Sequence, residues 1–200
     1  MLSCFLVYAA TKSLDIFDFI AAAQSGTINP TLLAIAGFGC IFGAAAKSSQ
    51  FPFHTWLPDA MEAPTPVSAL IHAATMVNAG VYLLCRFYPA FEAVPGWKMT
   101  IVVIGLITIL LTSLMAIFAT DIKKVLAFST VSQLGFLFVA IGAGSVLAAQ
   151  FHLMSHSIFK ALLFLCAGAL IHSCGTRDMR KMGGLFSKMP VVGSCFIIGA

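Results

Sequence analysis

Long apolar stretches, interrupted by short polar or proline-rich segments, dominate this sequence of 200 residues. A membrane-spanning helix needs about 20 mostly apolar residues. On that basis the pattern predicts full helices over residues 31–46, 67–87, 99–119, 122–141 and 146–173. Shorter apolar segments at 1–10 and 191–200 have the character of the end of one helix and the start of another. We therefore expect an all-α, polytopic membrane helix bundle with about five full and two partial transmembrane helices, forming the central fragment of a larger protein.

Composition agrees with a membrane protein. The chain is 60% hydrophobic and 9% charged, with a mean hydropathy of +1.01, whereas a soluble domain carries about 25% charged residues. The net charge of +4 is spread over the loops, so no nucleic-acid partner is expected. The cysteines form no close pair with metal-ligand spacing and are expected to be small buried apolar side chains, not disulfide partners or zinc ligands. They are Cys4, Cys40, Cys85, Cys166, Cys174 and Cys195.

The basic loop residues divide unequally between the two sides of the predicted bundle. Because successive loops alternate sides, one side carries Lys12, Arg86 and Lys98. The other side carries Lys123, Lys124, Arg177, Arg180, Lys181 and Lys188. Cytoplasmic loops hold an excess of Lys and Arg, so we expect the second side to face the cytoplasm or the matrix.

Two prolines follow the first full helix. Pro52 and Pro58 each lack a backbone donor and clash with the preceding turn, so a helix that begins near residue 31 is not expected to continue through both of them. Backbone groups freed at membrane depth are tolerated only against protein or water, and a discontinuous helix therefore indicates a transport site. The alternative is an ordinary interfacial loop anchored by Trp56.

Lys47 and His72 flank this break, and each has two interpretations. Lys47 follows about 16 apolar residues, or roughly 24 Å of helix, which is slightly less than the hydrocarbon core. It is therefore either an interfacial lysine whose head reaches the headgroups or a charge buried for a purpose. His72 lies among alanines that let another helix approach, and is either a hydrogen-bonded core residue or a proton carrier.

A row of basic side chains marks the segment FHLMSHSIFKALLF. His152, His156 and Lys160 recur every four residues, so they line one face of one helix over roughly 12 Å. Lys160 lies roughly 18 Å or more from either helix end, too far for its stem to reach the headgroups. It needs a water-filled cavity or a counter-charge, and the row predicts a proton path. One alternative is a polar helix–helix contact. Another is haem ligation, but two axial ligands must approach opposite faces of the haem ring, which two histidines on one helix cannot do.

The segment TDIKKVLAFSTVSQLG opens the preceding helix. Either Thr120 or Asp121 is predicted to cap it, and a carboxylate suits the positive end of the helix dipole. Lys123 and Lys124 in the first turn are unfavourable at the positive end of the dipole. We therefore expect them to interact with anionic headgroups or to belong to the buried proton path. Deeper polar residues could bond water or serve as packing contacts: Ser129, Thr130, Ser132 and Gln133.

These segments resemble one known family in their order and spacing. KSSQFPFHTWLPDAMEAPTPVSALIHAATMV, TDIKKVLAFSTVSQLG, FHLMSHSIFKALLFLCAG and DMRKMGGL closely resemble the largest antiporter-like membrane subunits of respiratory complex I, the NADH:quinone oxidoreductase subunits of chain L or subunit 5 type. The resemblance covers nearly the whole chain. It implies an antiporter-like fold of two inverted repeats, each with a broken helix. Residues 1–141 would then hold the end of the first repeat, and 146–200 the start of the second.

The same resemblance implies roles for individual residues. Lys47 matches the family's central lysine on its broken helix, His72 the histidine of the next helix, and Lys123 the lysine that opens a later one. The row of His152, His156 and Lys160 matches a polar helix face in the family. The glutamate that usually modulates the central lysine would precede residue 1. These residues are thus expected to transfer protons, with Pro52 and Pro58 at the helix break.

The implied activity is proton translocation coupled to NADH oxidation elsewhere in a complex. The chain itself is expected to bind no cofactor or metal, since it holds no cysteine cluster and no glycine-rich phosphate loop. Flavin mononucleotide, iron–sulfur clusters and quinone would belong to partner subunits, membrane and peripheral, in a prokaryotic cytoplasmic or mitochondrial inner membrane. The alternatives are the large subunit of an Mrp-type Na⁺/H⁺ antiporter, which often has lysine where Asn78 stands and shares GTRD at 175–178, a related hydrogenase, or an F420H2 dehydrogenase. A purely structural membrane scaffold is disfavoured by the number of buried ionisable groups.

Overall fold

The computed structural model describes residues 2–200, apart from the side chains at positions 2 and 74. Within that part of the chain the regular structure is helical, and β-type pairing is limited to an isolated bridge between Asp121 and Asp178. Three short turns of other helix types occur at Ala60–Glu62 and Met179–Lys181, which are 3₁₀, and at Leu70–Ala74, which is π-helical. The α-helices are α1 Leu2–Thr11, α2 Ile16–Gln24, α3 Pro30–Lys47, α4 Trp56–Asp59, α5 Thr65–Ala69, α6 Met76–Phe91, α7 Trp97–Phe118, α8 Ile122–Gly142, α9 Val146–Cys174, α10 Leu185–Lys188 and α11 Pro190–Gly199.

Five segments of the described chain are long and apolar enough to cross a membrane, which confirms the predicted number. They match the predicted helices to within about one turn at each end. The predicted partial helices correspond to α1 and α11, although position 1 lies outside the described residues. The spans are Pro30–Lys47, Thr65–Phe91, Trp97–Phe118, Ile122–Gly142 and Val146–Cys174.

Helix α2 is a difference from the sequence prediction, which placed no helix there. It has 9 residues, and the carboxylate of Asp15 accepts the backbone N–H of Phe17 at its start. Its Phe19 is buried and meets the rings of Phe87 and Phe91 edge-on. A search for stretches of spanning length misses so short a helix, which is held by its cap and by the two aromatic contacts of Phe19.

The helix break is confirmed, but it begins before both prolines. Helix α3 ends at Lys47, and Ser49 adopts a positive φ of 53°. Pro52 lies in the loop after a cis peptide bond, as expected for a residue of the break. Pro58 lies within the first turn of α4, the short helix after the break, where a missing N–H leaves no intrahelical hydrogen bond unmade.

The span after the break is not one regular helix, contrary to the sequence prediction for 67–87. Helix α5 passes into the π-helical turn at Leu70–Ala74, and α6 begins after Thr75, whose φ and ψ are −128° and −94°. The hydroxyl of Thr75 donates to the carbonyl of Leu70 at 3.0 Å. No glycine or proline stands between positions 67 and 79, so the sequence carries no simple signal for this distortion.

Helices α7 and α8 form a closely packed hairpin. A Cβ on Gly105 would lie 2.8 Å from the carbonyl oxygen of Gly135, so only glycine permits this approach. The main hydrophobic core lies beside the hairpin and includes Trp97, whose indole N–H donates to the carbonyl of Gly37 at 3.0 Å. A second, smaller core lies between the 3₁₀ turn Ala60–Glu62, α5, α8 and α9 and contains Met61, Leu126 and Phe164. The two cores fix the helices that carry the candidate site.

Candidate functional site

Three basic side chains of the predicted set lie inside the bundle. His72 and His156 are fully buried, and Lys160 is 2% exposed. The ring of His72, in the π-helical turn, lies 5.0 Å from the ring of Phe164, one turn beyond Lys160 on α9. Among the described atoms, the ring nitrogens of His72 and His156 have no hydrogen-bond partner.

Helix α8 supplies partners for both ends of the α9 row. His152 Nε2 lies 2.9 Å from Gln133 Oε1, and the ammonium of Lys160 donates to Ser129 Oγ at 2.7 Å. Between them, the rings of His152 and His156 are 6.4 Å apart. Because Ser129 and Gln133 are also four residues apart, two matched polar faces meet along the contact between α8 and α9.

The other polar residues proposed on α8 serve the helices themselves. Thr130 donates to the carbonyl of Leu126, its own preceding turn, at 2.9 Å. Ser132 and Ser113 of α7 share a hydrogen bond of 2.9 Å. These two residues therefore hold helix geometry and the α7–α8 contact, whereas Ser129 and Gln133 face the basic row.

Lys123 is 1% exposed, and its contacts explain why a lysine is found in the first turn of α8. Its ammonium donates to the carbonyls of Met61 and Ala63 at 2.8 and 2.6 Å. Those carbonyls end the short helical segment after the break, where the helix dipole favours a cation. Asp121 is the N-cap of α8, as predicted, and accepts the N–H groups of Lys123 and Lys124. Lys124, by contrast, is exposed.

The loop after α9 closes over this end of the bundle. The backbone N–H of Ile122 donates to the carbonyl of Arg177 at 3.1 Å, and the N–H of Met179 donates to the carbonyl of Thr120 at 2.9 Å. An ion pair of 3.3 Å joins Arg177 to Glu62, beside the carbonyls that Lys123 holds. In the same loop, hydrogen bonds from Arg180 hold the pKa of Asp178 below its ordinary value. The loop thus links the segment after the break to α8 and α9.

Lys47 is not brought into this cluster. It is the last residue of α3, its side chain is exposed on the described part of the chain, and no hydrogen bond or ion pair of residues 2–200 involves its ammonium. His72, Lys123, His156 and Lys160 are buried in the bundle, so the structure gathers four of the predicted residues and places Lys47 apart. His152 is half-buried at the end of the row nearer the start of α9.

The first residues of the break pack inside the bundle, whereas Phe51, Pro52 and Phe53 are exposed. Ser48, Ser49 and Gln50 are fully buried. The indole of Trp56 donates inward, to the carbonyl of Ala46 at 3.0 Å. The carbonyl freed at the end of α3 is thus paired with a protein donor.

Several residues that hold the break were not singled out from the sequence. Ser48 Oγ donates to the carbonyl of Val77 at 2.7 Å, and Gln50 Nε2 donates to that of Val131 at 3.3 Å. The N–H of Phe51 donates to Thr108 Oγ1 at 3.0 Å. The polar run Ser-Ser-Gln directly after an apolar helix is a signal that could have identified the first two.

Asn78 is a further residue whose structural role the sequence did not reveal. Its amide donates to the carbonyl of Ala73 at 2.6 Å and to Ser157 Oγ at 2.8 Å. Asn78 thereby connects helix α9 with the irregular turn that contains His72.

Of the cysteines, Cys40, Cys85 and Cys166 are buried as expected, while Cys4 is exposed.

Broken and distorted spans around a buried histidine–lysine row define a multi-pass membrane protein with an antiporter-like fold. The family model described as "NADH:quinone oxidoreductase/Mrp antiporter, TM" matches residues 1–200, and the chain belongs to that family.

Subunits of different membrane complexes resemble this chain. NAD(P)H-quinone oxidoreductase chain 5 of Synechocystis sp. is 48% identical over 207 residues, covering 96% of this chain and 30% of the relative. F(420)H(2) dehydrogenase subunit L of Methanosarcina mazei is 50% identical over 200 residues, covering 93% of this chain and 29% of the relative. The chain thus spans less than a third of the length of these two relatives.

A solved structure confirms the fold. A chain in the structure of the Mrp complex from Dietzia sp. superposes with a TM-score of 0.90 at 38% sequence identity. The match covers 96% of this chain and 22% of that one. The helix break, the irregular span and the α7–α8–α9 arrangement described above therefore belong to a fold that also occurs in an Mrp complex.

Proposed function

We propose that this chain is the central part of a proton-translocating membrane subunit of an NADH:quinone oxidoreductase. The observation that carries the proposal is the buried row on α9, with His156 fully buried and Lys160 hydrogen-bonded to Ser129 at 2.7 Å. A buried basic row of this kind is costly in a membrane and typically marks an ion path. NADH-quinone oxidoreductase subunit L of Rhodobacter capsulatus is 52% identical over 169 residues, covering 84% of this chain, which supports the choice of complex.

Protons pass along the contact between α8 and α9. His152, oriented by Gln133, exchanges a proton with His156 through water, because 6.4 Å between ring centroids is too long for a direct hydrogen bond. Lys160 accepts the proton further along, with the Ser129 hydroxyl stabilising its ammonium. His72 approaches the same path from the π-helical turn. Lys123 lies at the end of the path that carries the basic loop after α9.

Lys47 acts as the separate charge that drives the path. By the family resemblance it is paired with a glutamate that is not in this sequence, and disturbance of that pair shifts the proton affinity of the buried row. Moving one charge against 100 mV requires about 2.3 kcal/mol, which electrostatic coupling between buried charges can supply. Lys47→Ala is expected to abolish pumping while the complex still assembles, and normal pumping in that variant would remove Lys47 from the path.

The electron chemistry belongs to partner subunits. Flavin mononucleotide, iron–sulfur clusters and quinone are proposed there, in a complex in the cytoplasmic membrane of a prokaryote or the mitochondrial inner membrane. Residues 1–141 and 146–200 are assigned to the first and second repeats of the subunit. This chain would supply the proton path and membrane contacts alone.

A second candidate is the large subunit of an Mrp-type Na⁺/H⁺ antiporter. It is favoured by the TM-score of 0.90 against the Dietzia complex and by the sequence GTRD at 175–178. Asn78 favours the oxidoreductase, since Mrp-type subunits often have a lysine at this position. The amide of Asn78 bonds to Ala73 and Ser157 without the charge that a lysine would bring.

Purification of the native complex that contains this chain distinguishes these functions. Iron–sulfur signals by EPR together with inhibitor-sensitive NADH:quinone reduction would support the proposal. A cluster-free complex that exchanges sodium for protons would support the antiporter instead. Reduction of quinone by F420H2 and not by NADH would assign the chain to the F420H2 dehydrogenase group.

A further inference from the structure

A groove of about 620 Å³ opens at the foot of the α7–α8 hairpin. Its apolar wall includes Leu114 and Phe118 of α7 and Phe128 of α8, while Asp121 and Lys124 lie at its polar end. Leu114 is 55% exposed and Phe118 is 81% exposed. Since α7 and α8 are both membrane-spanning segments, these side chains contact either lipid or another protein surface.

The groove follows from how the two helices pack. The helices approach closely at Gly105 and Gly135, where a Cβ would clash. Phe118 lies 13 residues, or roughly 20 Å, further along α7, and there the large α7 side chains that line the groove are exposed. From Leu111 to Phe118 the groove extends about 10 Å along α7, the length of part of one acyl chain.

The charge at the mouth of the groove is that of Lys124. The Asp121 carboxylate accepts the N–H groups of Lys123 and Lys124 at 2.8 and 3.3 Å, so it is committed to the positive end of α8. The ammonium of Lys123 turns inward to Met61 and Ala63. Lys124 is exposed and, within residues 2–200, forms no ion pair.

We propose that this groove binds an anionic phospholipid, such as phosphatidylglycerol, with its phosphate on Lys124 and an acyl chain between Leu114, Phe118 and Phe128. The polar end lies on the side that carries the loop of Arg177, Arg180 and Lys181, which reinforces the attraction for an anionic headgroup. The occupant is a lipid because the groove combines an apolar wall at membrane depth with one cation at the headgroup level.

Quenching by brominated lipids tests the proposal in the purified complex. A Phe118→Trp reporter is reconstituted in vesicles of phosphatidylcholine that contain brominated phosphatidylglycerol or brominated phosphatidylcholine, and the quenching of the complex without the reporter is subtracted. We expect brominated phosphatidylglycerol to occupy the site about five-fold more readily, which is the effect of one lysine near an anionic surface. Lys124→Gln is expected to abolish this preference, and Lys124→Arg to retain it.

Two further reporters make the result decisive. Leu114→Trp repeats the measurement if Phe118→Trp disturbs folding. Leu106→Trp, on the same helix, 47% exposed and outside the groove, should show no headgroup preference. Equal quenching of the groove reporters by the two lipids, or a preference that survives Lys124→Gln, would overturn the proposal. Absence of quenching by either lipid would mean that protein covers the groove, and would overturn it as well.

Discussion

The buried ammonium of Lys160 donates a hydrogen bond of 2.7 Å to the hydroxyl of Ser129 on the facing helix. Within residues 2–200, no carboxylate pairs with this ammonium. A charge in this position therefore depends on a single neutral partner from protein and on any water that reaches it. That dependence makes the contact between α8 and α9 the most sensitive part of the proposed path.

Removal of the hydroxyl should weaken the path. In Ser129→Ala the ammonium loses a hydrogen bond to a charged group, an interaction of about 1.5–3 kcal/mol. We expect slower proton pumping in the reconstituted complex, measured by a pH-sensitive dye during NADH oxidation. Ser132→Ala is the matched contrast, because Ser132 lies on the same helix but bonds the neutral Ser113. Equal rates in the two variants would contradict the role of Ser129.

Lys123 has a structural role that can be separated from proton transfer. In Lys123→Met the carbonyls of Met61 and Ala63 lose their shared donor, at a cost of about 1–3 kcal/mol for each buried group left unpaired. We expect a lower unfolding temperature and faster proteolysis near residues 60–64. Lys181→Met, at an exposed lysine of the same end, is the control.

Lys123→Arg distinguishes the two roles. Arginine keeps the donors for the carbonyls but holds its proton at any ordinary pH. If Lys123 transfers protons, this variant should be stable and unable to pump. Pumping at the wild-type rate would leave Lys123 as a cap for the segment after the break.

The inward hydrogen bond of Trp56 should stabilise the break. Trp56→Phe leaves the carbonyl of Ala46 without the indole donor, and we expect a loss of about 1 kcal/mol in the free energy of unfolding. Thermal unfolding of the detergent-solubilised complex measures this. Phe42→Leu, at an exposed aromatic of α3, should change the midpoint little. An unchanged midpoint in Trp56→Phe would mean that this bond adds nothing to the break.

The glycine contact in the hairpin should not tolerate a methyl group. In Gly105→Ala the new Cβ would lie 2.8 Å from a backbone oxygen of Gly135, which cannot move aside as a flexible side chain could. We expect destabilisation of about 1–3 kcal/mol, the usual cost of overpacking. Gly43→Ala is the control, since a Cβ there meets nothing within 4 Å. A stable Gly105→Ala variant would show that the hairpin can separate.

Hydrophobic length was enough to predict the five spans, and Pro52 and Pro58 predicted the break, because both depend on local sequence. The four-residue spacing of His152, His156 and Lys160 likewise predicted a common helix face. Sequence could not supply the partners: Ser129 and Gln133 were seen as polar, but their pairing depends on how α8 meets α9. The π-helical turn around His72 was not predicted either, because no proline or glycine stands between positions 67 and 79 to signal it.

Lys47 marks the limit of this prediction. The resemblance placed it at the centre of the path, whereas its side chain is exposed on the described chain and apart from the buried cluster. The assignments of Lys47 and of the two repeats therefore stay predictions.

The most direct test of the proposed path is proton pumping by the reconstituted complex that carries Lys160→Met with His156→Ala. Both changes remove protonatable groups from the buried row while keeping apolar volume at position 160, and Lys188→Met at an exposed lysine is the control. The proposal predicts that pumping falls by about a hundred-fold or more, as is typical when a proton-transferring group is lost, in a complex that still assembles. Pumping at the wild-type rate would contradict it and reduce the row to a packing contact.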